Sequence, residues 1–413
     1  MRFSLRLAWR NLSRNRRRSV LTLLAVLLPV LILDLMWGFS NAVQRNLFES
    51  TTQLETGHLQ VHRADYRQLQ TGLPLIQNVT PVLQIIAQDP AIERFAVRLD
   101  LPALAAHGDR SRGVLLRGVR PGKAGQLSAL DKWVRTGRPL KAGDRKVALA
   151  GSNLLKALHL KVGQSVILLS ASLRTGTGVL IPKVVGSLAP PSPQLSRSII
   201  ELPLADARSL VHNPQAASSV VVLLKDISGP WDQSRIEREA RSLQAKLGPD
   251  YLVETWAELA PATVGLFKII QPLYLAFSLI FFLLGGLVVL NTLYLSVLER
   301  TRELGVVLAL GSSRRRVLGW IEVEAVLLAG LGALLGSALG LALVGWGSLG
   351  FRLPGFYAEF VSIGLNNIFY LSISPAEAAL SAGLMFVLAL TAAAYPGWRA
   401  ARLEPVEAMH FAG

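Results

Sequence analysis

Four long apolar stretches constrain what this chain can fold into more than any other feature of its sequence. They cover residues 20–40, 266–298, 321–348 and 376–396. Each is long enough to cross a bilayer as a helix, which takes about 20 mostly apolar residues. No comparable run lies between residues 41 and 265. The sequence therefore predicts a membrane protein with four transmembrane α-helices and a large domain inserted between the first and second helices.

The first stretch shares a basic flank with cleaved signal peptides but differs from them in length. A signal peptide has an apolar core of about 7–15 residues, followed by a cleavage site of small residues. Residues 20–40 exceed that length, and the sequence GFSNAVQRN at their end contains no such site. The same length argument applies to a twin-arginine signal at Arg16–Arg18. We therefore expect an uncleaved span.

Basic residues near the ends of the spans predict the orientation of the chain, because short loops rich in Lys and Arg stay in the cytoplasm. Residues 1–19 hold seven arginines, residues 299–320 hold five and residues 397–413 hold two. Residues 349–375 hold one. We expect the first three segments to be cytoplasmic, and residues 41–265 and 349–375 to lie on the other side of the membrane.

Residues 41–265 have the pattern of an α+β domain, with short β-type runs that alternate with helix-like pieces between Gly, Pro and Asp/Asn clusters. The β-type runs are GHLQVH, RGVLLRGV, KVALA, QSVILLS, IPKVVGSLA and SVVVLLK, and the helix-like pieces are PVLQIIAQ, SNLLKALHL and SRIEREARSLQAKLG. The chain has no cysteine, so packing rather than disulfides must stabilise this domain.

Catalytic, metal and nucleic-acid sites are not indicated. His58 and His62 lie four apart in a strand-like run and share a face, but no acidic residue accompanies them at ligand spacing. We expect them to be solvated polar residues and expect no metal. The sequence GSSRRRVLG lacks the Gly-Lys-Ser/Thr end of a nucleotide-binding loop. The net charge of +16 could suggest nucleic acid, but no cytoplasmic basic domain is present to bind it.

The segment after the second stretch, LERTRELGVVLALGSSRRRVLG, is the most informative part of the sequence. A charged collar comes first, made of Glu299, Arg300, Arg302 and Glu303. A short apolar stretch follows, and residues 311–313 can end one helix and cap the next. Arg314–Arg316 lie where anionic headgroups would be. An ordinary amphipathic loop anchored at the membrane surface would explain the charges. It would not explain why a short helix, a Gly-Ser break and a second helix that begins with arginines occur together.

This arrangement resembles the FtsX-like permease family of ABC transporters, which includes the lipoprotein-releasing LolC and LolE and the efflux protein MacB. The matching positions are Glu299, Arg300, Arg302, Glu303, Leu304, Gly305, Ala309, Leu310, Gly311, Ser312, Ser313, Arg314 and Arg315. Leu308 departs from the pattern, because an arginine is frequent there, and this is expected to alter a contact with the ATPase partner. The tail matches a second family pattern at Pro396, Arg399, Ala400, Ala401, Arg402, Pro405, Glu407 and Ala408. The start, LAWRNLSRNRRRSVLT, resembles the family's amphipathic N-terminal helix.

The resemblance implies a permease in the inner membrane of a bacterium, with a periplasmic domain that follows the first span. Two permeases, identical or different, would pair with two copies of a separate ABC ATPase. That ATPase would bind ATP and Mg, so this chain would be no enzyme and would carry no cofactor. Residues 299–316 would dock on the ATPase, and the residues expected to couple it are Glu299, Arg300, Arg302, Glu303, Leu304, Gly305, Ala309, Leu310, Gly311, Ser312 and Arg314.

The layout is most similar to that of LolC and LolE, which implies extraction of lipoproteins from the inner membrane for transfer to the outer membrane. A MacB-like export permease and an FtsX-like regulator of cell-wall hydrolases remain as alternatives. In LolC-like proteins a hairpin holds a periplasmic lipoprotein carrier. Residues 170–197 are rich in Gly, Pro, Ser and Thr and predict such a hairpin with its tip near residues 173–182, although an ordinary surface loop fits equally well.

Two features of the spans are not needed merely to cross a bilayer: regularly spaced glycines and an acidic residue. Gly332, Gly336 and Gly340 recur at intervals of four and predict a close helix contact, either with a neighbouring span or with the other permease. Asp34 is costly if it faces lipid, so we expect it to reach the outer interface or to lie beside a substrate cavity. By analogy with lipoprotein-releasing relatives, the candidate contacts of a lipid substrate are Leu33, Asp34, Met36, Phe39, Leu266, Ile270 and Leu273.

Overall fold

Four long apolar helices and one large mixed sheet make up most of the structure, which is a computed structural model. It describes residues 16–67, 74–121, 133–172, 176–190, 193–299, 301–352 and 368–401. The chain divides into two units. The helical unit consists of residues 1–42, 268–351 and 368–413, and the outer unit consists of residues 43–267 and 352–367.

The described α-helices are given in chain order. They are α1 (Arg16–Thr51), α2 (Thr80–Ala87), α3 (Ser152–Ala157), α4 (Pro193–Ser198), α5 (Leu204–Val211), α6 (Gln233–Leu247), α7 (Trp256–Leu259), α8 (Pro261–Glu299), α9 (Thr301–Ala309), α10 (Arg314–Gly347) and α11 (Pro375–Ala401). A π-helical turn, Thr52–Thr56, follows α1, and a 3-10 turn, Pro230–Asp232, precedes α6.

The described strands form two sheets. They are β1 (Leu59–Arg63), β2 (Ile92–His107), β3 (Arg110–Val119), β4 (Val134–Gly137), β5 (Val147–Gly151), β6 (Ile167–Ser172), β7 (Gly176–Leu180), β8 (Lys183–Leu188), β9 (Ile199–Pro203), β10 (Ser219–Leu224), β11 (Tyr251–Thr255), β12 (Phe351–Arg352) and β13 (Ile368–Phe369). The six β-type runs of the sequence coincide with β1, β3, β5, β6, β8 and β10.

Helices α1, α8, α10 and α11 are long and apolar enough to cross a membrane. They extend beyond the four predicted stretches. In particular, α10 already begins at Arg314, so part of the predicted segment 299–320 belongs to the third long helix. Small and mid-sized side chains form the buried core of this unit, namely Val26, Val30, Val289, Leu293, Ala325, Ala329, Ala333, Met385, Ala389 and Ala393. Small side chains allow helix backbones to approach closely where lipid provides no hydrophobic driving force.

The outer unit is built on an 11-stranded sheet with the order β11-β1-β10-β2-β3-β9-β5-β8-β4, to which β6 and β7 are added beside β2. Its pairs are antiparallel except for β3 with β9 and β5 with β8. Strand β2 pairs with β10 through its first part and with β3 through its second part. Helices α2, α5 and α6 bury apolar residues in the main core of this sheet. The unit is therefore an α+β domain, as the sequence pattern predicts.

Candidate functional site

A short helix, α9, lies between the second and third long helices and ends in a tight, well-defined turn. Gly311 adopts a left-handed conformation with φ of 88°. Its N–H donates to the carbonyl of Leu308, and the N–H of Ser312 donates to the carbonyl of Val307. These two bonds form a Schellman motif, in which glycine is favoured at the left-handed position. Ser313 then has extended backbone geometry and precedes the first residue of α10.

The two sides of α9 have different surroundings. Its inner side packs into an apolar cluster of Val297, Val307, Leu308 and Val317. The outer side leaves apolar residues uncovered, and Leu310 in the turn is 82% exposed. The apolar Leu308 therefore packs inward, at the position where the family pattern frequently has an arginine.

Exposed arginines flank this uncovered apolar end in the sequence. We define the coupling tip as the exposed residues Arg302, Val306, Ala309, Leu310, Arg314, Arg315 and Arg316. Glu303 is also exposed, whereas Gly305 is buried and Ser312 is half-buried. Glu299 is the last residue of α8. Arg300 and the side chain of Leu304 lie outside the described part of the chain. The tip combines a protruding apolar residue with positive charge, which suits a partner that offers an apolar pocket with an acidic rim.

The tail pattern places one arginine against the second long helix. The guanidinium of Arg399 donates to the hydroxyl of Tyr294 and lies 5.2 Å from the centre of its ring. This hydrogen bond joins α11 to α8 and is reinforced by a cation–π contact. The sequence pattern did not indicate Tyr294 because its partner lies about a hundred residues away. Arg402, Pro405, Glu407 and Ala408 lie outside the described residues, as do residues 1–15.

The three spaced glycines of α10 face α1. A Cβ added at Gly336 would lie 2.6 Å from the carbonyl oxygen of Leu27, and one at Gly332 would lie 2.8 Å from Cβ of Val26. A Cβ at Gly340 would lie 2.7 Å from Cβ of Asp34. The sequence left open whether these glycines contact a neighbouring span or the other permease. In this structure they pack against a neighbouring span of the same chain.

Asp34 lies in the interior of the helical unit and not at its surface. The side chain has no exposed area, and the hydroxyl of Ser381 donates to its Oδ1. Asp34 therefore links α1 to α11, beside Gly340 of α10. A second polar contact joins α1 and α11, because Asn41 Nδ2 donates to the Glu377 carboxylate at 3.2 Å. The expectation that Asp34 reaches the outer interface is therefore wrong. The side chain is buried among the helices, where the hydroxyl of Ser381 is its hydrogen-bond partner.

The remaining candidate lipid contacts differ in exposure. Leu33 is fully buried, whereas Met36 and Phe39 of the same helix are half-buried. The ring of Phe39 packs against Phe369 with centroids 5.7 Å apart. On α8, Leu266 and Leu273 are exposed and Ile270 is half-buried. Of the seven candidates, those on α8 therefore have the most surface available to a lipid.

His58 and His62 are buried, so the expectation of two solvated residues is wrong. His62 lies in β1 and His58 directly precedes it, and β10 and β11 cover both edges of this strand. His62 Nδ1 donates to the carbonyl of Ser218 at 3.2 Å, and His58 Nδ1 accepts from the N–H of Leu224 at 3.0 Å. Burial lowers the pKa of each histidine to about 4. No group of three or more His, Cys, Asp or Glu suited to a metal ion occurs in the described parts of the chain.

The predicted hairpin in residues 170–197 overlaps β6 and β7, which pair antiparallel from Leu168 with Leu180 to Ser172 with Gly176. The predicted tip, residues 173–182, is displaced, because Gly176–Leu180 form β7. Val179 and Ile181 are exposed. Residues 173–175 and residues 191–192 lie outside the described parts.

Two family models match this chain. Residues 275–405 match the FtsX-like permease C-terminal model, and residues 19–239, more than half of the chain, match the MacB-like periplasmic core domain. The chain belongs to the MacB-like periplasmic core domain family. With the second match, the chain is similar to ABC transporter permeases of the MacB and LolC type. The family membership predicted from the loop and tail motifs is thus confirmed.

Curated relatives of this family carry two kinds of name. The macrolide export ATP-binding/permease protein MacB of Wolinella succinogenes is 24% identical over 429 aligned positions, which cover 98% of this chain and 60% of that protein. The MacB of Syntrophobacter fumaroxidans is 31% identical over 174 positions, 42% of this chain and 22% of that protein. The lipoprotein-releasing system transmembrane protein LolC of Xylella fastidiosa is 23% identical over 336 positions, 78% of this chain and 79% of that protein.

The chain therefore spans 60% or less of the length of these two MacB relatives. Among solved structures, the periplasmic region of MacB from Actinobacillus actinomycetemcomitans is 11% identical with a TM-score of 0.33, covering 52% of this chain and 94% of that one.

Proposed function

We propose that this chain is the permease subunit of an ABC transporter of the mechanotransmission type in a bacterial inner membrane. In this proposal both termini and the coupling tip are cytoplasmic, and the outer unit is periplasmic. Two copies of a separate ABC ATPase bind ATP and Mg, and a second permease, identical or homologous, completes the complex. ATP-driven closure of the ATPases is passed through the permease to its outer unit.

The coupling tip is the observation that carries this proposal. Leu310 is an uncovered apolar side chain in the turn that follows α9, and the inner side of α9 is fixed by packing against α8 and α10. Interfaces are typically held by a few apolar or aromatic anchors that fill a pocket, with charged groups at the rim. The arginines of the tip supply such a rim, and they also suit the anionic headgroups of the cytoplasmic leaflet.

For the cargo, we propose lipoproteins extracted from the inner membrane, passed on with the help of a periplasmic carrier. Two observations support this choice. The chain aligns with LolC over 78% of its own length and 79% of the relative's. In addition, α8 exposes apolar side chains such as Leu273, which an acyl chain can cover at little cost. A MacB-like export function is the second candidate, since MacB relatives align over 98% of the chain.

Docking of the ATPase is tested by Leu310→Asp. The matched control is Leu349→Asp, because Leu349 is 78% exposed just beyond the far end of α10. Each variant is purified from native membranes with a tagged chain, and the amount of co-purified ABC ATPase is measured by quantitative mass spectrometry. We expect the ATPase to be lost with Leu310→Asp and retained with Leu349→Asp. Retention in both variants would contradict docking at the tip.

The same purification distinguishes the two cargoes. Diacylated lipoprotein bound to the wild-type complex would support lipoprotein release. Co-purification of a membrane-fusion protein or an outer-membrane channel, without lipoprotein, would support the MacB-like function instead.

The proposed topology is tested by reporter fusions. A reporter fused after Gly265 should read as periplasmic and one fused after Arg316 as cytoplasmic, and the reverse pattern would overturn the proposed topology.

A further inference from the structure

The far end of α1 is a specialised helix terminus within the outer unit. After Thr51 the helix continues as the π-helical turn Thr52–Thr56 and stops at Gly57, which has φ of 68°. The N–H of Gly57 donates to the carbonyl of Thr52 at 2.8 Å. A Cβ at Gly57 would lie 2.4 Å from the side chain of Val221, so only glycine fits where the chain turns into the sheet.

Side chains of the sheet bind the last carbonyls of this helix. Arg117 donates to the carbonyl oxygen of Leu54 at 3.1 Å. The carbonyl oxygen of Glu55 accepts from both Arg98 and Gln60 Nε2. The final carbonyls of a helix have no partner within it and carry the negative end of the helix dipole, so positively charged donors are the favourable partners.

The two arginines are held rigidly on adjacent strands. Each is only 4% exposed. Arg117 of β3 forms a two-pronged ion pair with Asp100 of β2, with Nε to Oδ1 at 3.0 Å and NH2 to Oδ2 at 3.1 Å. These residues are direct cross-strand neighbours, and Glu201 of β9 lies opposite Arg117 on the other side. Because the site is buried, water cannot replace the hydrogen bonds to the helix carbonyls.

Both arginines are charged at neutral pH. Burial lowers the pKa of Arg98, only to about 10. Burial also acts to lower the pKa of Arg117, but the charge and hydrogen bonds of Asp100 outweigh it and raise that pKa above its ordinary value. A buried charge that loses its partner is strongly destabilising, so this arrangement tolerates little separation of the helix end from β2 and β3.

We propose that Arg98 and Arg117 form the joint through which movement of α1 reaches the sheet of the outer unit. In this proposal, displacement of α1, which is one continuous helix from Arg16 to Thr51 with Pro29 inside it, reaches its last turn. The two arginines bind successive carbonyls from neighbouring strands and therefore resist both rotation and withdrawal of the helix end. They are positioning residues for transmission, and this inference rests on the proposed function.

Hydrogen–deuterium exchange in the complete complex with its ATPase tests the joint. Exchange is compared without nucleotide and with ATP plus vanadate, both in β2–β3 and in the coupling segment, residues 301–316. The variants are Arg98→Gln and Arg117→Gln. The matched control is Arg94→Gln on the same strand, because Arg94 is exposed and pairs only with its neighbour Glu93 among the described residues.

In the wild type we expect nucleotide to change exchange both in the coupling segment and in β2–β3. With Arg98→Gln or Arg117→Gln the change in β2–β3 should be lost, while the change in the coupling segment and the ATPase rate stay as in the wild type. Arg94→Gln should retain both changes. An unaltered response of β2–β3 in the joint variants would overturn the inference. Absence of any nucleotide response in the wild type would instead count against the proposed function.

Folding is checked by the exchange of β5, β8 and β9 without nucleotide. If a glutamine variant does not fold, the nucleotide-dependent exchange of β2–β3 is measured in Arg117→Lys instead. Lysine keeps the charge but cannot bind the Asp100 carboxylate and the Leu54 carbonyl together with a planar fork. We expect it to fold with a reduced response in β2–β3, and a full response would overturn the inference.

Discussion

Replacement of Gly336 by alanine tests the packing of α10 against α1 with the smallest possible change. The added Cβ would lie 2.6 Å from the carbonyl oxygen of Leu27, whereas ordinary contacts begin at 3.4 Å. The obstructing atom belongs to the backbone, so a rotamer change cannot relieve the clash. The two helices must therefore separate locally by about 0.8 Å, which loosens contacts on both sides of the substitution.

Overpacking of this kind costs about 1–3 kcal/mol. Alanine also gains about 1 kcal/mol over glycine from helix propensity, which partly masks the cost. Gly345 provides the matched control on the same helix, because a Cβ there would meet nothing within 4 Å. Gly345→Ala gains the propensity without the clash. We therefore expect Gly336→Ala to be the less stable variant by about 1–3 kcal/mol.

The assay is unfolding of the full chain in detergent micelles by titration with SDS, followed by tryptophan fluorescence. Wild type and both variants are compared under identical lipid and detergent conditions. If the two alanine variants had the same free energy of unfolding, the close approach of α10 to α1 would be refuted.

Two further predictions use the same unfolding measurement. Asp34→Ala removes the hydrogen bond from Ser381 and should cost about 1 kcal/mol, whereas Asp34→Asn should stay near the wild type; equal losses would argue against the hydrogen bond. His58 and His62 have folded pKa values of about 4, below the ordinary 6.5, so the unfolded chain binds more protons between these values. Stability of the outer unit should therefore be full above pH 6.5 and fall towards pH 4, by about 2 kcal/mol for His58 at pH 5. The loss at His62 should be smaller, because the Glu254 carboxylate lies 3.7 Å from its Nε2 and favours the charged ring. A midpoint unchanged from pH 7.5 to 5 would contradict their burial.

The spanning helices could be predicted from sequence because the length of an apolar run is a local property. The same holds for strands such as β10, whose run SVVVLL contains no polar interruption after Ser219. The turn that ends α9 could also be predicted, because a glycine such as Gly311 at the end of a helix favours the left-handed conformation. These features depend on residues that are adjacent in the chain.

Strand β2 could not be predicted in this way. Its sequence contains Arg98 and Asp100 in the middle and Pro102 soon after, which looks unlike a buried strand. The charges are tolerated because Arg117 and the carbonyl of Glu55 satisfy them, and both partners come from other parts of the sequence. The burial of His62 could not be predicted for the same reason, because its hydrogen-bond partner Ser218 lies 156 residues away in the sequence.

The great length of β2 has a mechanical consequence. From Arg98 to His107 the strand extends about 30 Å, at 3.3 Å per residue. From Leu99 onward it is paired with β3, and residues 103–106 are paired on both edges because β6 joins them. If Arg98 and Arg117 transmit movement as proposed, the strand would act as a stiff lever arm. A tilt of about 5° at Arg98 would carry His107 through about 3 Å, so a movement too small to disturb the core at one end becomes an atomic-scale stroke at the other.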